Sequence, residues 1–258
     1  MDSFRLLWNR LRGRATLLDR SPMGVPMRLS VWAGRELRRV RSVPEEAPLL
    51  ARILESLSGG DVVYDVGANI GLVALVVALD PRGHSCVVHC FEPEPRNFAQ
   101  LEGNIRLNGV AHRVHAHRLA LSDRAGETNL YVRGGPGEGR HSTVAREGST
   151  ASIRIRTEPL AAFAARAGCG PDVVKIDVEG AEGRVLDGMG PLFPAMPPRE
   201  LFLELHDKGE HDAVPSGGTV RAWLERRGYT LAWESERGRS RHQHYRLAER
   251  RPGEDGRE

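Results

Sequence analysis

The chain has 258 residues, 40% of them hydrophobic and 28% charged, with a formal net charge of +3. This length and apolar fraction suit one α/β domain with an N-terminal extension. The three cysteines are odd in number and irregular in spacing, which excludes a disulfide framework and a zinc-ribbon type of site. The basic residues are spread along the chain, so we interpret the basic balance as background composition and not as a nucleic-acid signal.

Residues 1–45 are predicted to be a basic N-terminal extension. Phe4, Leu7, Trp8 and Leu11 recur at helical spacing with arginines between them, which predicts a short helix. We expect it to pack on its own domain; a weak contact with a membrane surface is the alternative. The sequence contains no signal-peptide pattern and no window that predicts a transmembrane helix, so we expect a cytoplasmic protein.

From residue 46 to residue 250, helical and strand patterns alternate, which predicts a doubly wound, mostly parallel sheet. Residues 251–258 are predicted to be a disordered tail, and the glycine-rich residues 133–150 a mobile flap over the acceptor. In chain order the predicted elements are helix PEEAPLLARILESLSGG, strand DVVYDVG, helix GLVALVVALD, strand CVVHCFEPEP, helix RNFAQLEGNIRLNG, strand HRVHAHRLALSD, strands ETNLYV and SIRIRTE, helix LAAFAARAG, strand PDVVKIDVEG, helix AEGRVLDGM, strand RELFLELHD, helix TVRAWLERRG, and an antiparallel pair YTLAWES and HQHYRLAE.

A glycine turn, DVGANIG, follows the first buried strand of this domain. Gly67 and Gly71 allow a tight turn with close backbone approach to a ligand. Glu92 ends the next strand, where a carboxylate can accept hydrogen bonds from both hydroxyls of a ribose. These features by themselves suit either NAD or S-adenosylmethionine.

The remaining residues of the turn favour S-adenosylmethionine. Asp65 would repel a pyrophosphate but suits a sulfonium and an ammonium group. Asn69 can offer a donor and an acceptor to the amino-acid end of that cofactor. The alternative for Asp65 is that its carboxylate only ties the loop backbone together, which is compatible with the same cofactor.

Five segments occur in an order that resembles the FkbM-type methyltransferases, over roughly residues 45–250: VVYDVGANIGLVAL, FEPEPRNFAQLEGNIRLNG, ALSDRAGE, VVKIDVEGAEGRVLDGM and LFLELH. The resemblance implies a class I, Rossmann-like, seven-stranded sheet with a reversed last strand. It also implies S-adenosylmethionine-dependent O-methylation of a sugar, polyketide or similar hydroxyl. By position, it implies a cofactor site formed by Asp65, Gly67, Asn69, Gly71 and Glu92, with Ser122 and Asp123 beside the adenine; a plain strand-end turn is the alternative for the last two.

Candidate catalytic residues follow two later strands. Asp177 and Glu179 end the fourth strand, where a carboxylate can take the proton of an acceptor hydroxyl. Alternatively the two acids hold a divalent metal, although no clear metal motif is present, and Glu179 can instead cap the next helix. His206 is a candidate general base or a buried, hydrogen-bonded histidine, and it shares a strand face with Glu204.

Other functions are less consistent with these motifs. NIRLNG also suits an RNA methyltransferase, but no NPPY or DPPR follows the fourth strand, and no RNA-binding module is visible. A homologue that only binds the cofactor is disfavoured by the intact turn, Glu92 and Asp177. We therefore expect a small-molecule or glycan acceptor and no nucleic acid. Lys175 is expected to pair with an acid, and the alternating histidine pairs at 115/117 and 242/244 to be ordinary strand residues.

Overall fold

The computed structural model describes residues 16–31, 43–132, 141–142, 151–193, 195–206, 213–238 and 240–248. The predicted helix near residues 4–11, the predicted tail and most of the predicted flap lie outside these ranges. The strands are β1 (Thr16–Arg20), β2 (Met27–Val31), β3 (Val62–Val66), β4 (Val87–Phe91), β5 (Val114–His117), β6 (Ala120–Ser122), β7 (Gly126–Val132), β8 (His141–Ser142), β9 (Ala151–Pro159), β10 (Val173–Ile176), β11 (Glu200–His206), β12 (Tyr229–Arg237) and β13 (Ser240–Leu247). The helices are α1 (Val43–Ser56), α2 (Leu72–Leu79), α3 (Pro95–Leu107), α4 (Leu160–Ala167), α5 (Glu182–Met189) and α6 (Val220–Glu225), with single 3-10 turns at Pro22–Gly24, Pro81–Gly83 and Gly190–Leu192.

The central sheet has seven strands in the order β12-β13-β11-β10-β3-β4-β5. The neighbours from β11 through β5 pair in parallel, whereas β13 runs antiparallel to both β11 and β12. This confirms the predicted seven-stranded sheet with a reversed strand. Val66 pairs with Phe91 on one side and with Ile176 on the other, so β3, β4 and β10 end together. The segments that follow these strands therefore meet at one edge, where open α/β sheets bind ligands.

Helices cover both faces of the sheet, and successive strand residues alternate between two cores. Val63 faces the core formed with α1, α2 and α3, and Tyr64 faces the core formed with α4, α5 and α6. Helix α2 consists only of apolar residues, and residues 72–78 are all buried. A helix of this kind belongs inside a protein and not at its surface. None of the helices in the described ranges has the length and apolar character needed to cross a bilayer.

Residues 16–31 of the predicted N-terminal extension form a β-hairpin. Strands β1 and β2 pair antiparallel, with Leu18 opposite Leu29. Leu29 and Val31 are fully buried in the same core as α2. The side-chain oxygen of Asn104 in α3 accepts a hydrogen bond from the backbone N–H of Ser30 in β2. The side-chain oxygen of Asn108, the residue that follows α3, accepts one from the backbone N–H of Arg28. Residues 16–31 are therefore built into the main domain instead of lying beside it.

A second, smaller sheet has the order β6-β9-β7-β8. The segment HRVHAHRLALSD, predicted as one strand, breaks near Arg118, so that β5 belongs to the central sheet and β6 to the second. ETNLYV and SIRIRTE, predicted as two strands, lie in β7 and β9, which pair antiparallel. This sheet packs beside the end of β4 and forms one wall of the cleft described next.

Candidate active site

A cleft of about 700 Å³ lies over the carboxyl ends of β3, β4 and β10. One wall consists of the glycine turn and the residues after β4, and the opposite wall comes from the second sheet. The loop after β10 closes one end. The lining residues are Val66, Gly67, Asn69, Phe91, Glu92, Pro93, Asn97, Leu119, Ala120, Leu121, Ser122, Leu130, Thr157, Asp177, Val178, Glu179 and Ala181.

The glycine turn brings backbone against backbone at the floor of the cleft. Gly67 has a φ of +80°, and a Cβ at this position would lie 1.8 Å from the carbonyl oxygen of Asp177. Only glycine fits there. Gly71 has a φ of +91° and precedes α2, and a Cβ at Gly71 would lie 2.6 Å from Leu101. Gly67 lines the cleft, whereas Gly71 allows the turn to pack closely against Leu101.

Glu92 is held in place by the turn that it faces. One of its carboxylate oxygens accepts a hydrogen bond from the backbone N–H of Asn69 at 2.9 Å, and the other accepts from that of Glu94 at 2.9 Å. The two backbone bonds fix the orientation of the carboxylate at the cleft, and a carboxylate is an acceptor suited to ribose hydroxyls. Asn69 has a φ of +53°, and its side-chain oxygen accepts from the N–H of Ile70. Both side chains line the cleft.

Asp65 is not part of the cleft lining. Its side chain is 1% exposed, and the Nζ of Lys175 lies 3.1 Å from its Oδ1. The same ammonium donates to the carbonyl oxygen of Gly67 and lies 3.6 Å from Oδ2 of Asp177. The geometry therefore favours the second interpretation of Asp65, a carboxylate that ties the loop together through Lys175.

Ser122 and Asp123 take different places at the end of β6. Ser122 lines the cleft, and its hydroxyl donates to a carboxylate oxygen of Asp123 at 2.9 Å. Asp123 also forms ion pairs with Arg124 and with Arg184 of α5, both at 3.2 Å. Burial would raise the pKa of Asp123, but the hydroxyl of Ser122, a backbone hydrogen bond and the guanidinium of Arg184 hold it below its usual value. Asp123 thus connects the end of β6 to α5 through Arg184 and does not line the cleft.

The three candidate catalytic residues lie together at one end of the cleft. Nε2 of His206 is 3.7 Å from Oδ1 of Asp177 and 3.5 Å from Oε2 of Glu179. Strands β10 and β11 are parallel neighbours, which brings the end of β11 beside the loop after β10. Helix α5 begins at Glu182, and its first-turn carboxylate is Glu182 itself, so Glu179 is not the residue that caps it.

His206 is surrounded by carboxylates. Its Nδ1 lies 3.2 Å from Oε1 of the fully buried Glu182, and its Nε2 lies 3.5 Å from Oε1 of Glu204. Burial alone would lower the pKa of His206, but the hydrogen bond with Glu182 and the charges of Asp177 and Glu179 outweigh burial and raise the pKa to about 10. In the ligand-free protein at neutral pH this imidazole is protonated and cannot accept a proton.

Glu204 remains ionised beside this histidine. Burial would raise the pKa of Glu204, but hydrogen bonds with His242 and Ser240 and the charge of His206 hold it well below the usual value. The hydroxyl of Ser240 donates to Oε1 at 2.8 Å, and Nε2 of His242 lies 3.2 Å from Oε2. Strand β13 thereby fixes the carboxylate behind His206.

The family model of the methyltransferase FkbM domain matches residues 65–231. The chain belongs to the FkbM methyltransferase family. Its class I fold, its enzyme class and its use of S-adenosylmethionine are therefore those predicted from the sequence.

Two curated relatives show the similarity at the sequence level. Hexuronic acid methyltransferase AglP of Haloferax volcanii is 33% identical, with 66% of this chain and 69% of that protein covered. The 31-O-demethyl-FK506 methyltransferase FkbM of Streptomyces tacrolimicus is 32% identical, with 70% of this chain and 76% of that protein covered. The crystal structure of methyltransferase FkbM from Methylobacillus flagellatus KT superposes with a TM-score of 0.51 at 15% identity, covering 83% of this chain and 55% of that one.

The cleft of this FkbM-family chain contains polar and apolar groups suited to an adenosine. Asn97, in the first turn of α3, is 3% exposed, and its Nδ2 has no hydrogen-bond partner among the described residues. A buried amide without a partner is costly, and a ligand in the cleft can supply the missing acceptor. Leu121 and Leu130 add apolar side chains that a base could contact, and Thr157 also lines the cleft.

Sequence reasoning missed these residues. The position of Asn97 just after FEPEP was a usable signal, because the first turn of a helix that follows a sheet strand borders the ligand edge. No local signal marks Leu130 or Thr157, since they reach the cleft from the second sheet.

Proposed function

We propose that this protein transfers the methyl group of S-adenosylmethionine to a hydroxyl of a sugar or of a sugar-like natural product. One observation carries the proposal: Glu92, Asn97, Asp177 and Glu179 all line one cleft. Cofactor-binding groups and groups that can activate a hydroxyl thus face the same space. The names of the two curated relatives, one a hexuronic acid methyltransferase and one a demethyl-FK506 methyltransferase, support this acceptor class.

The reaction requires no covalent bond between the protein and either reactant. The bond between sulfur and the methyl carbon breaks with its electron pair staying on sulfur, and the acceptor oxygen forms the new bond to carbon. Alignment of the two reactants and removal of the hydroxyl proton are the contributions available to side chains. We assign alignment of the cofactor to the glycine turn, Glu92 and Asn97, and activation of the hydroxyl to Asp177 and Glu179.

His206 supports this activation and is not the initial proton acceptor. Its pKa is raised to about 10, which favours the protonated ring at neutral pH, and a cation bound beside it would displace that proton. The acids can act in two ways, by accepting the hydroxyl proton directly or by holding a cation that acidifies it.

The substitution Asp177→Asn tests the activation role. It preserves the shape of the side chain but removes its charge, so turnover should fall roughly 10²- to 10⁴-fold, the usual contribution of a general base. Cofactor affinity should change far less, because Glu92 and the turn remain. Turnover is measured as S-adenosylhomocysteine release over a panel of uronosides, neutral glycosides and macrolides, and affinity by calorimetry.

Asp19→Asn is the matched control, since Asp19 is 83% exposed and remote in β1. It should leave both turnover and affinity unchanged. Near-normal turnover of Asp177→Asn at saturating cofactor would contradict the assignment. If no member of the panel is methylated by the wild-type protein, the proposed acceptor class is wrong.

A further inference from the structure

We propose that Asp177, Glu179 and His206 form a binding site for one divalent cation, best suited to Mn²⁺, which holds the acceptor hydroxyl. This inference rests on the proposed function for its role, but not for its geometry. One ligand atom from each residue lies within 4.8 Å of the other two. The chain thus brings two carboxylates and one imidazole nitrogen to a single point at the end of the cleft.

The distances suit a shared cation better than direct hydrogen bonds. Nε2 of His206 is 3.7 Å from Asp177 and 3.5 Å from Glu179, and both distances exceed the usual range of roughly 2.7–3.2 Å for a hydrogen bond. Two ligands bound to one ion at about 2.1 Å lie roughly 3.0–3.4 Å apart, for octahedral and tetrahedral angles respectively. The three ligand atoms, which lie within 4.8 Å of one another, would have to move closer together to share one ion.

A second, independent observation comes from Glu182. Its side chain is 0% exposed, and its Oε2 is buried with no hydrogen-bond partner among the described residues. Its Oε1 accepts from the N–H of Gly180 and lies 3.2 Å from Nδ1 of His206. A carboxylate on the far nitrogen of a histidine is the usual support of a metal-bound imidazole, because it orients the ring and directs the other nitrogen to the metal.

Charge also favours a cation here. The carboxylates of Asp177, Glu179, Glu182 and Glu204 converge on one imidazole. Partly buried charges of like sign repel each other strongly unless cations compensate them. Nζ of Lys175 lies 3.6 Å from Oδ2 of Asp177, and Nε2 of His206 lies 3.7 Å from Oδ1. One side of Asp177 is thus oriented by the protein and the other is directed to the proposed site.

The site is open on the side where an acceptor would approach. Asp177 and Glu179 line the cleft, and the three side chains are between 10% and 23% exposed. Three protein ligands leave coordination positions for water or for a hydroxyl, and a bound hydroxyl is more acidic. The proton passes to water at the cleft mouth, and the resulting alkoxide attacks the methyl carbon. Carboxylates suit Mg²⁺ and Mn²⁺, and the imidazole shifts the preference toward Mn²⁺.

Mn²⁺ binding tests the site without any turnover. Tag-free protein, stripped with EDTA, is titrated with Mn²⁺ alone, and free Mn²⁺ is followed by electron paramagnetic resonance. We expect one saturable ion per chain. Asp177→Asn and Glu179→Gln should each weaken binding at least tenfold, and Glu182→Gln roughly 10- to 100-fold through the orientation of His206.

Glu127→Gln is the matched control, because Glu127 is an exposed carboxylate paired with Arg154 on the second sheet. It should bind Mn²⁺ like the wild type. Circular dichroism establishes that each variant is folded, and with three separate variants the test does not depend on any single one. Absence of saturable binding, or equal affinity in the wild type and Glu179→Gln, would overturn the proposal.

Activity provides the second arm and separates this inference from the proposed function. EDTA should abolish methyl transfer and Mn²⁺ should restore it, while S-adenosylhomocysteine binding by calorimetry persists in the metal-free protein. Full transfer in EDTA would refute the cation site but leave the methyltransferase intact. Saturable Mn²⁺ binding without transfer to any acceptor would support the site and contradict the proposed acceptor class.

Discussion

At the scale of single residues, two carboxylates fix the geometry of the glycine turn, one through hydrogen bonds to the backbone and the other through an ion pair. Glu92 accepts from two backbone amides, and Asp65 holds the ammonium of Lys175 under the glycine turn. These contacts exist before any ligand binds, so the side chains lose little freedom on binding. Preorganisation of this kind gives affinity by lowering the entropic cost of association.

Asn97 is the exception, and it leads to a prediction with two readouts. Its Nδ2 is buried without a partner, so Asn97→Ala should not lower the stability of the ligand-free protein. It should weaken cofactor binding about 2- to 12-fold, equivalent to the net 0.5–1.5 kcal/mol of a neutral hydrogen bond. Calorimetry with S-adenosylhomocysteine and urea unfolding measure the two effects. Unchanged affinity together with reduced stability would show that Asn97 is purely structural.

At the scale of elements, α3 connects the N-terminal hairpin to the cofactor turn. The amide of Asn104 is fully buried; its oxygen accepts from Ser30 of β2, and its NH₂ group donates to the carbonyl of Ile70. One side chain therefore satisfies the backbone of two elements that are distant in sequence. Asn108, the residue that follows α3, accepts a hydrogen bond from the backbone N–H of Arg28 and donates one to the carbonyl oxygen of Arg28. Both of these bonds are exposed to solvent.

This difference in burial predicts a difference in stability. Asn104→Ala leaves a donor and an acceptor unpaired inside the protein, at a cost of about 2–5 kcal/mol in the free energy of unfolding. Asn108→Ala removes bonds that water can replace, so its effect should be clearly smaller. Urea denaturation of the two variants compares them directly. Similar decreases in the free energy of unfolding for the two variants would show that burial of these hydrogen bonds does not determine their contribution to stability.

At the scale of the whole molecule, the two faces of the central sheet bury different chemistry. One face is almost entirely aliphatic, whereas the other packs Tyr64, Phe91 and Phe163 around the imidazoles of His89 and His117. Nδ1 of His89 and Nε2 of His117 are 3.0 Å apart. Burial, with a contribution from neighbouring charges, lowers the pKa of each histidine from 6.5 to about 4.

The depressed pKa values predict acid sensitivity of the fold. Above pH 6.5 both histidines are neutral in the folded and unfolded states, and their contribution to stability is fully present. As pH falls toward 4, the unfolded chain binds protons that the folded protein does not, so the free energy of unfolding decreases. Urea midpoints between about pH 7 and pH 5 should fall less steeply for His117→Gln than for the wild type.

The exposed His112 supplies the control, because His112→Gln should keep the wild-type slope. Parallel pH profiles for the wild type and His117→Gln would show that this histidine pair does not control acid sensitivity.

The order of elements and the chemistry at strand ends were determined by the sequence alone. Alternation of short apolar strands with helices has a local cause, side-chain periodicity, and it predicted the mostly parallel, doubly wound sheet. The resemblance to the FkbM-type methyltransferases implied the seven strands and the reversed last strand, which is β13. The strand-end positions of Gly67, Glu92, Asp177 and His206 were likewise readable, because parallel strands bring their carboxyl ends to one edge.

Tertiary structure decided which of these groups line the cleft and which contact each other. Asp65 turns under the loop to Lys175, Asp123 turns to Arg184, and Leu130 reaches the cleft from a separate sheet. Glu182 was read only as part of a helix, yet it holds His206. These outcomes depend on contacts between residues up to about a hundred positions apart. Burial and charge compensation at such contacts are properties of packing, which no local pattern of residues encodes.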